Sequence, residues 1–131
     1  MAKISFDVDG TLRDDFFGNV NPHKYSVQEL AKRLIADGHD VLIVTRRYKD
    51  GRIDEHTVVY ELAEKIGISI ENVHFTNREW KYIKLHELGV DFHIDDDDTD
   101  VLNIKLYNPI TTGFLLKNAD GIEEFYKLCN Q

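Results

Sequence analysis

Short apolar runs alternate with segments of helical period along the whole chain. Lys3–Val8 (KISFDV) reads as a strand, after which Gly10 turns the chain. Ser26, followed three residues later by Glu29, has the form of a capping box. Behind it Val27, Leu30, Ala31, Leu34 and Ile35 follow the i, i+3, i+4, i+7, i+8 pattern of one helix face, and Gly38 stops the helix. Val41–Val44 (VLIV) is apolar throughout, as a strand covered on both faces requires. The pattern then predicts a second helix over Asp54–Ile66, with Val58, Val59, Leu62, Ala63 and Ile66 inward and Gly67 as its stop. A third strand is expected at Val73–Thr76 and a helix at Arg78–Leu88, ended by Gly89. A fourth strand is expected at Asp91–Ile94, a fifth at Ile104–Tyr107, and a closing helix at Gly121–Cys129 capped by Asp120. Strands alternating with helices of this length imply βαβ units. The expected architecture is a doubly wound, mainly parallel sheet sandwiched by helices, an α/β fold of Rossmann type.

Composition narrows the classes. At 131 residues the chain is enough for one globular domain, residues 1–131, and too little for two. With 42% hydrophobic and 31% charged residues it can bury a core, and it is neither disordered nor fibrous. A formal net charge of −8 disfavours long nucleic acid and anionic membrane surfaces as partners. No apolar run approaches the roughly 20 residues of a membrane span, and the acids Asp7 and Asp9 interrupt the N-terminus, so no signal peptide is expected. The single cysteine, Cys129, excludes an internal disulfide and suits a reducing compartment. The expectation is an acidic cytoplasmic protein.

In sheets of this kind ligands bind outside the carboxyl ends of the strands, so the residues just after each apolar run matter most. Asp7 and Asp9 follow the first strand, in Asp7-Val8-Asp9-Gly10-Thr11. Thr45, Arg46 and Arg47 follow the second, and Thr76 and Asn77 the third, with Lys81 and Lys84 in the next helix. Asp95, Asp96, Asp97 and Asp98 follow the fourth, with Asp100 beyond. Crowded carboxylates need a cation, and oxygen-only ligands suit a hard ion such as Mg²⁺. Such a set can attack a phosphoryl group through one carboxylate, with a second two residues away to protonate the leaving oxygen and then activate water. A threonine hydroxyl and a lysine ammonium would hold the phosphoryl oxygens.

These residues resemble the motifs of the haloacid dehalogenase-like (HAD) superfamily, most of whose members are Mg²⁺-dependent phosphohydrolases. Asp7-Val8-Asp9-Gly10-Thr11 is similar to the first motif, DxDGT; VLIVT, ending at Thr45, to the second; Lys81 to the third; and Ile94–Asp98 (IDDDD) to the acidic fourth. They occur in the family's order over residues 7 to 100. The spacing looks most similar to the 5′-nucleotidase-like and polynucleotide-phosphatase-like branches. The resemblance implies a phosphomonoester phosphatase with Asp7 as nucleophile and Asp9 as general acid/base, its backbone carbonyl also on the metal. It implies phosphate binding by Thr45 and Lys81, and metal binding by Asp7, Asp9, Asp96 and Asp95. Gly10, Thr11, Arg46 and Arg47 are candidate substrate contacts beside them, a solubilising loop being the alternative for the two arginines. The four-Asp run leaves the register of the last pair open, with Asp100 a further candidate. Lys81 is favoured over Lys84 because it lies in the turn nearest the strand end.

Many relatives carry a cap domain, whereas the stretch from Leu12 to Tyr25 has room only for a small flap with Phe16 and Phe17 near its tip. Two adjacent aromatics in a short polar loop are hard to bury together, and one is expected to face the substrate. An open site implies a nucleotide or polynucleotide end as substrate, or a homo-oligomeric neighbour, as the missing wall. The six histidines share no ligand spacing and read as surface or packing residues, and Trp80 reads as core or rim. Competing classes fare worse. An EF-hand starting at Asp7 or Asp95 lacks the required glycine and glutamate. A phospho-receiver domain would carry its aspartate after the third strand, where Val73–Thr76 has none. A catalytically silent relative that only binds phosphate or metal remains an alternative.

Overall fold

The computed structural model describes residues 1–49 and 55–131. Among the described residues ten regular elements follow one another: β1 (Lys3–Phe6), α1 (Lys24–Ala36), β2 (Asp40–Thr45), α2 (Glu55–Ile66), β3 (Val73–Phe75), α3 (Lys81–Leu88), β4 (Phe92–Asp95), α4 (Asp98–Tyr107), β5 (Thr112–Leu115) and α5 (Asp120–Cys129), with a 3₁₀ turn at Ile70–Asn72. The strands form one five-stranded sheet in the order β3-β2-β1-β4-β5. Every pairing is parallel. This is the doubly wound architecture that the alternating pattern predicts, and β1 lies at its centre, flanked by β2 and β4.

Side-chain alternation along the strands assigns the two faces. Ile4 and Phe6 of β1, Val41 and Ile43 of β2, and Ile94 of β4 enter the larger core with residues of α1, α2 and α5. Val44 of β2 joins a smaller cluster with Leu85 of α3, Val90 and Ile104 of α4 on the opposite face. Ser5 and Asp7 of the first strand's run, and His93 and Asp95 of β4, alternate with the larger-core residues and therefore share the face of α3 and α4. Phe6 and Phe125 anchor the larger core in an edge-to-face pair, 6.0 Å between centroids.

Several boundaries differ from the sequence expectation, each for a local reason. Ile104–Tyr107 is not a strand but the second half of α4, and the fifth strand is Thr112–Leu115. Asp97 starts that helix by accepting the backbone N–H of Thr99 at 2.9 Å and of Asp100 at 3.4 Å, and Asp98 and Asp100 in the first turn favour the dipole. The alternation of Ile104 and Leu106 around Lys105 imitates a strand, but only Ile104 is buried. A Cβ on Gly113 would come within 3.3 Å of Ile104 Cδ1, so the glycine of β5 permits the close approach of α4. Helix α1 begins at Lys24, so Ser26 lies inside it and the expected capping box does not form; His23 stands at the cap with no side-chain bond. The third helix starts at Lys81 rather than Arg78, because Asn77 (φ 54°) and Arg78 (φ 72°) are left-handed and Trp80 is extended. Strand β1 stops at Phe6, β3 at Phe75, and Asp120 is the first residue of α5 rather than its cap. The expected start of the second helix at Asp54 lies outside the described residues.

No helix among the described residues is long and apolar enough to cross a membrane. Cys129 is buried in the larger core, where burial pushes its thiol up to about 12. A thiol so rarely ionised and so covered reacts slowly. Its reaction with Ellman's reagent in the native protein is expected to be far slower than in denaturant, where it should approach that of a free cysteine.

Candidate active site

A cleft of about 310 Å³ opens at the carboxyl ends of the central strands. Its floor is built from four elements. The turn after β1 supplies Asp7, β2 ends in Thr45, α3 presents Lys81 from its first residue, and β4 runs into Asp95 and Asp96. Asp7 continues the sheet by donating its backbone N–H to Ile94 O at 3.0 Å, which fixes its place between the neighbouring strand ends.

Lys81 is only 2% exposed. Its ammonium lies 2.6 Å from Asp7 Oδ1 and 2.7 Å from Asp95 Oδ2, with Asp100 Oδ2 at 3.7 Å. A lysine this buried needs such partners, and the three carboxylates raise its pKa despite burial. Asp95 is bound at both oxygens: Oδ2 also receives His93 Nε2 at 2.9 Å, and Oδ1 receives the backbone N–H of Asp97 at 3.0 Å. Burial opposes its ionisation, but Lys81 and His93 win and hold its pKa below the usual carboxylate range. Asp7 goes the other way. Burial first, then the charge of Asp95, raises its pKa well above the ordinary value although Lys81 pulls it down. Asp100 is pushed up to about 6 by burial, and its Oδ1 is buried without a hydrogen-bond partner. Burial also lowers the pKa of His93, although the contact with Asp95 pulls it up.

The turn after β1 binds two acids together. Thr11 Oγ1 is 3.0 Å from Asp7 Oδ2 and 3.4 Å from Asp96 Oδ1. Gly10 is left-handed, at φ 79°, and a Cβ there would overlap the carboxylate of Asp96. Gly10 and Thr11, expected to contact substrate, do not line the cleft; they shape its acidic floor. Gly10→Ala is therefore expected to displace Asp96 and weaken divalent-ion binding at least tenfold, the scale on which disturbed ligand positioning acts. Isothermal titration with Mg²⁺ would measure it.

Carboxylate oxygens of Asp7, Asp95 and Asp96 lie within 4.8 Å of one another, the one such group among the described residues. The donor set is all oxygen, and burial together with Asp95 disfavours the negative charge of Asp7. Both features fit a hard divalent cation such as Mg²⁺. The side chain of Asp9 stands apart from this group. Arg47 grips it through Nε at 2.9 Å and Nη2 at 2.8 Å, and Arg13 adds a contact at 3.1 Å.

The mouth of the cleft is cationic and aromatic. Phe16 and Phe17 line it with Arg46, Arg47 and Arg78. Phe16 lies between two guanidiniums, Arg47 at 5.1 Å and Arg78 at 5.0 Å from its centroid, and Phe17 is 88% exposed. Arg46 lies over Trp80 at 4.4 Å, and its Nη2 donates to Arg78 O at 3.3 Å. Lys84 faces elsewhere, paired with Glu87 at 3.0 Å beside a separate cleft next to Trp80.

Three residues escape the sequence reading. Arg78 reaches the mouth because its N–H donates to Arg46 O at 2.7 Å in a left-handed loop that no sequence pattern announces. His93, read as a packing or surface residue, is fully buried against Asp95, and its Nδ1 lies 2.6 Å from Ser5 Oγ. Ser5 and His93 did carry a signal. Each stands two residues before a site carboxylate, Asp7 or Asp95, and so on the same face of its strand.

No protein-family model matches this chain, and neither does any curated protein sequence. Among solved structures it is similar to the D,D-heptose 1,7-bisphosphate phosphatase of B. bronchiseptica, a complex with magnesium and phosphate, at 12% sequence identity. The match covers 97% of this chain and 87% of that one, with a TM-score of 0.62. The chain thus has the fold of that phosphatase over nearly its whole length.

Proposed function

We propose that this protein is a Mg²⁺-dependent phosphohydrolase of the HAD superfamily that cleaves phosphomonoesters through an aspartyl phosphate. The observation that carries the reading is Lys81, buried between Asp7 Oδ1 and Asp95 Oδ2 beside the all-oxygen group of Asp7, Asp95 and Asp96. Likeness of fold to a phosphatase solved with magnesium and phosphate supports it. Asp7, Asp95 and Asp96 would hold the ion, together with the backbone at Asp9. When bound, it supplies the positive charge that lets an anionic phosphoryl group approach these carboxylates.

The chain's own groups divide the remaining work. A carboxylate oxygen of Asp7 attacks phosphorus as the bond to the leaving oxygen breaks. Asp9 gives that oxygen its proton. In the second half Asp9 takes a proton from water, which attacks phosphorus and releases phosphate from Asp7. Arg13 and Arg47 hold the Asp9 carboxylate in the resting site, so part of this grip has to yield as substrate enters. Lys81 and Thr45 stabilise charge on the phosphoryl oxygens and on Asp7.

For the substrate, the exposed ring of Phe17 and the arginines of the mouth favour a flat, anionic leaving group. A nucleotide or a polynucleotide end has that character, which agrees with the two HAD branches that the motif spacing resembles. Initial rates on 5′-nucleotides, sugar phosphates, phosphopeptides and short oligonucleotides phosphorylated at either end test both levels. Hydrolysis is expected with Mg²⁺, none in EDTA, and kcat/KM highest for nucleotides or oligonucleotide ends. Full activity in EDTA would reject the ion; a preference for one small sugar phosphate would reject the nucleotide.

A further inference from the structure

Ser5 and His93 are register partners on adjacent strands, β1 and β4, and both are fully buried beneath the cleft. A core position on a central strand is ordinarily apolar, since a polar group there must find a partner or lose its hydration without return. These two find each other, Ser5 Oγ lying 2.6 Å from His93 Nδ1, and the far side of the imidazole reaches Asp95 Oδ2 at 2.9 Å. An ionised Asp95 carboxylate only accepts, so His93 Nε2 carries the hydrogen between them, and Ser5 Oγ is the partner of Nδ1 on the other side of the ring.

Asp95 Oδ2 is also the oxygen that holds Lys81, and Lys81 holds Asp7. The chain of contacts runs from Ser5 through His93, Asp95 and Lys81 to the carboxylate read as the nucleophile. We infer that Ser5 and His93 are positioning residues, a buried donor chain that fixes the orientation of the Asp95 carboxylate and, through Lys81, the attacking oxygen of Asp7. The inference rests on the phosphohydrolase reading for its kinetic consequence, not for its geometry. A buried polar chain of this kind either orients the groups above it or costs stability to no purpose, and hydrogen-bond partners behind a site's carboxylates commonly do the former.

Two measurements test it. In the first, ¹⁵N NMR of the imidazole should show a proton on Nε2, and His93→Leu should shift the carboxyl ¹³C resonances of both Asp95 and Asp7. The second is kinetic. His93→Leu is expected to lower kcat about 10–100-fold with KM little changed. His93→Gln, which can still donate to Asp95, should regain most of the loss. Ser5→Ala should cost less, and the double variant Ser5→Ala/His93→Leu should be no worse than His93→Leu alone, since both act through one chain. An Nε2 that carries no proton, or wild-type kcat in a folded His93→Leu protein, would overturn the inference. If His93→Leu fails to fold, Ser5→Ala and His93→Gln still decide it, because wild-type kcat in Ser5→Ala together with full loss in His93→Gln contradicts the chain. Absence of any phosphatase activity in the wild type would instead overturn the functional reading. The proton on Nε2 and the coupled shifts would then decide the positioning by themselves.

Discussion

Lys81→Ala is expected to lower kcat by about 10²–10³-fold, the scale of removing one preorganised charge-stabilising donor. The variant should also lose stability, since breaking a buried ion pair commonly costs about 3–5 kcal/mol, and here Asp7 and Asp95 both lose their ammonium. The two effects carry a shared signature. The acidic floor left behind needs a cation more than before, so added Mg²⁺ should raise the melting temperature of Lys81→Ala by more than that of wild type. Lys84→Ala is the internal control. Its ammonium pairs with Glu87 on a partly exposed helix face, and its loss should stay within a few-fold in activity. If Lys84→Ala is the inactive variant and Lys81→Ala is not, the assignment of the lysine is wrong.

Asp7→Asn should have the largest effect on turnover, a loss on the order of 10⁵-fold or more, as removal of a covalent nucleophile produces. Its effect on stability should have the opposite sign. Burial and Asp95 hold the pKa of Asp7 well above the ordinary value, so the native state binds its proton more tightly than the unfolded chain does. A raised carboxyl pKa means that stability falls as pH rises from the unfolded value towards the folded one, and the deficit persists above it. The isosteric amide removes that deficit. In EDTA at neutral pH, Asp7→Asn is therefore expected to melt at or above the wild-type temperature while being inactive. Under the proposed mechanism Asp9→Asn would keep the nucleophile and lose proton transfer, a smaller effect of about 10²–10⁴-fold. A dead enzyme that is also markedly unfolded at position 7 would mean that Asp7 serves the fold.

Much of the site is written where a strand ends. Asp7, Thr45, Asp95 and Asp96 each follow an apolar run, and a parallel sheet gathers such positions at one edge whatever the details of its loops. Lys81 was accessible by the same logic, being near the first turn of a helix that leaves that edge. What stayed hidden depends on contacts between distant segments or on backbone geometry. Helix α4 overrides the strand-like alternation of Ile104–Tyr107 because Asp97 caps its first turn and Gly113 lets it settle on β5. Arg78 reaches the mouth only because two successive non-glycine residues are left-handed there. Asp9 was legible as a site residue, but not its grip by Arg13 and Arg47, which is settled in three dimensions. His93 had the right period and face, yet its meaning needs β1 beside β4, an adjacency that sequence order does not reveal.

A covalent bond to Asp7 is the centre of the proposed mechanism, and trapping that bond is its most direct test. Wild-type protein mixed with Mg²⁺ and its best phosphomonoester, quenched in acid within the first turnovers and reduced with borohydride, should yield a peptide in which Asp7 has become homoserine. The product should be absent in EDTA and in Asp7→Asn, and it should fade when the quench is delayed until substrate is exhausted. Turnover with an unmodified Asp7, or the label on another carboxylate such as Asp95 or Asp96, would contradict the mechanism at its centre.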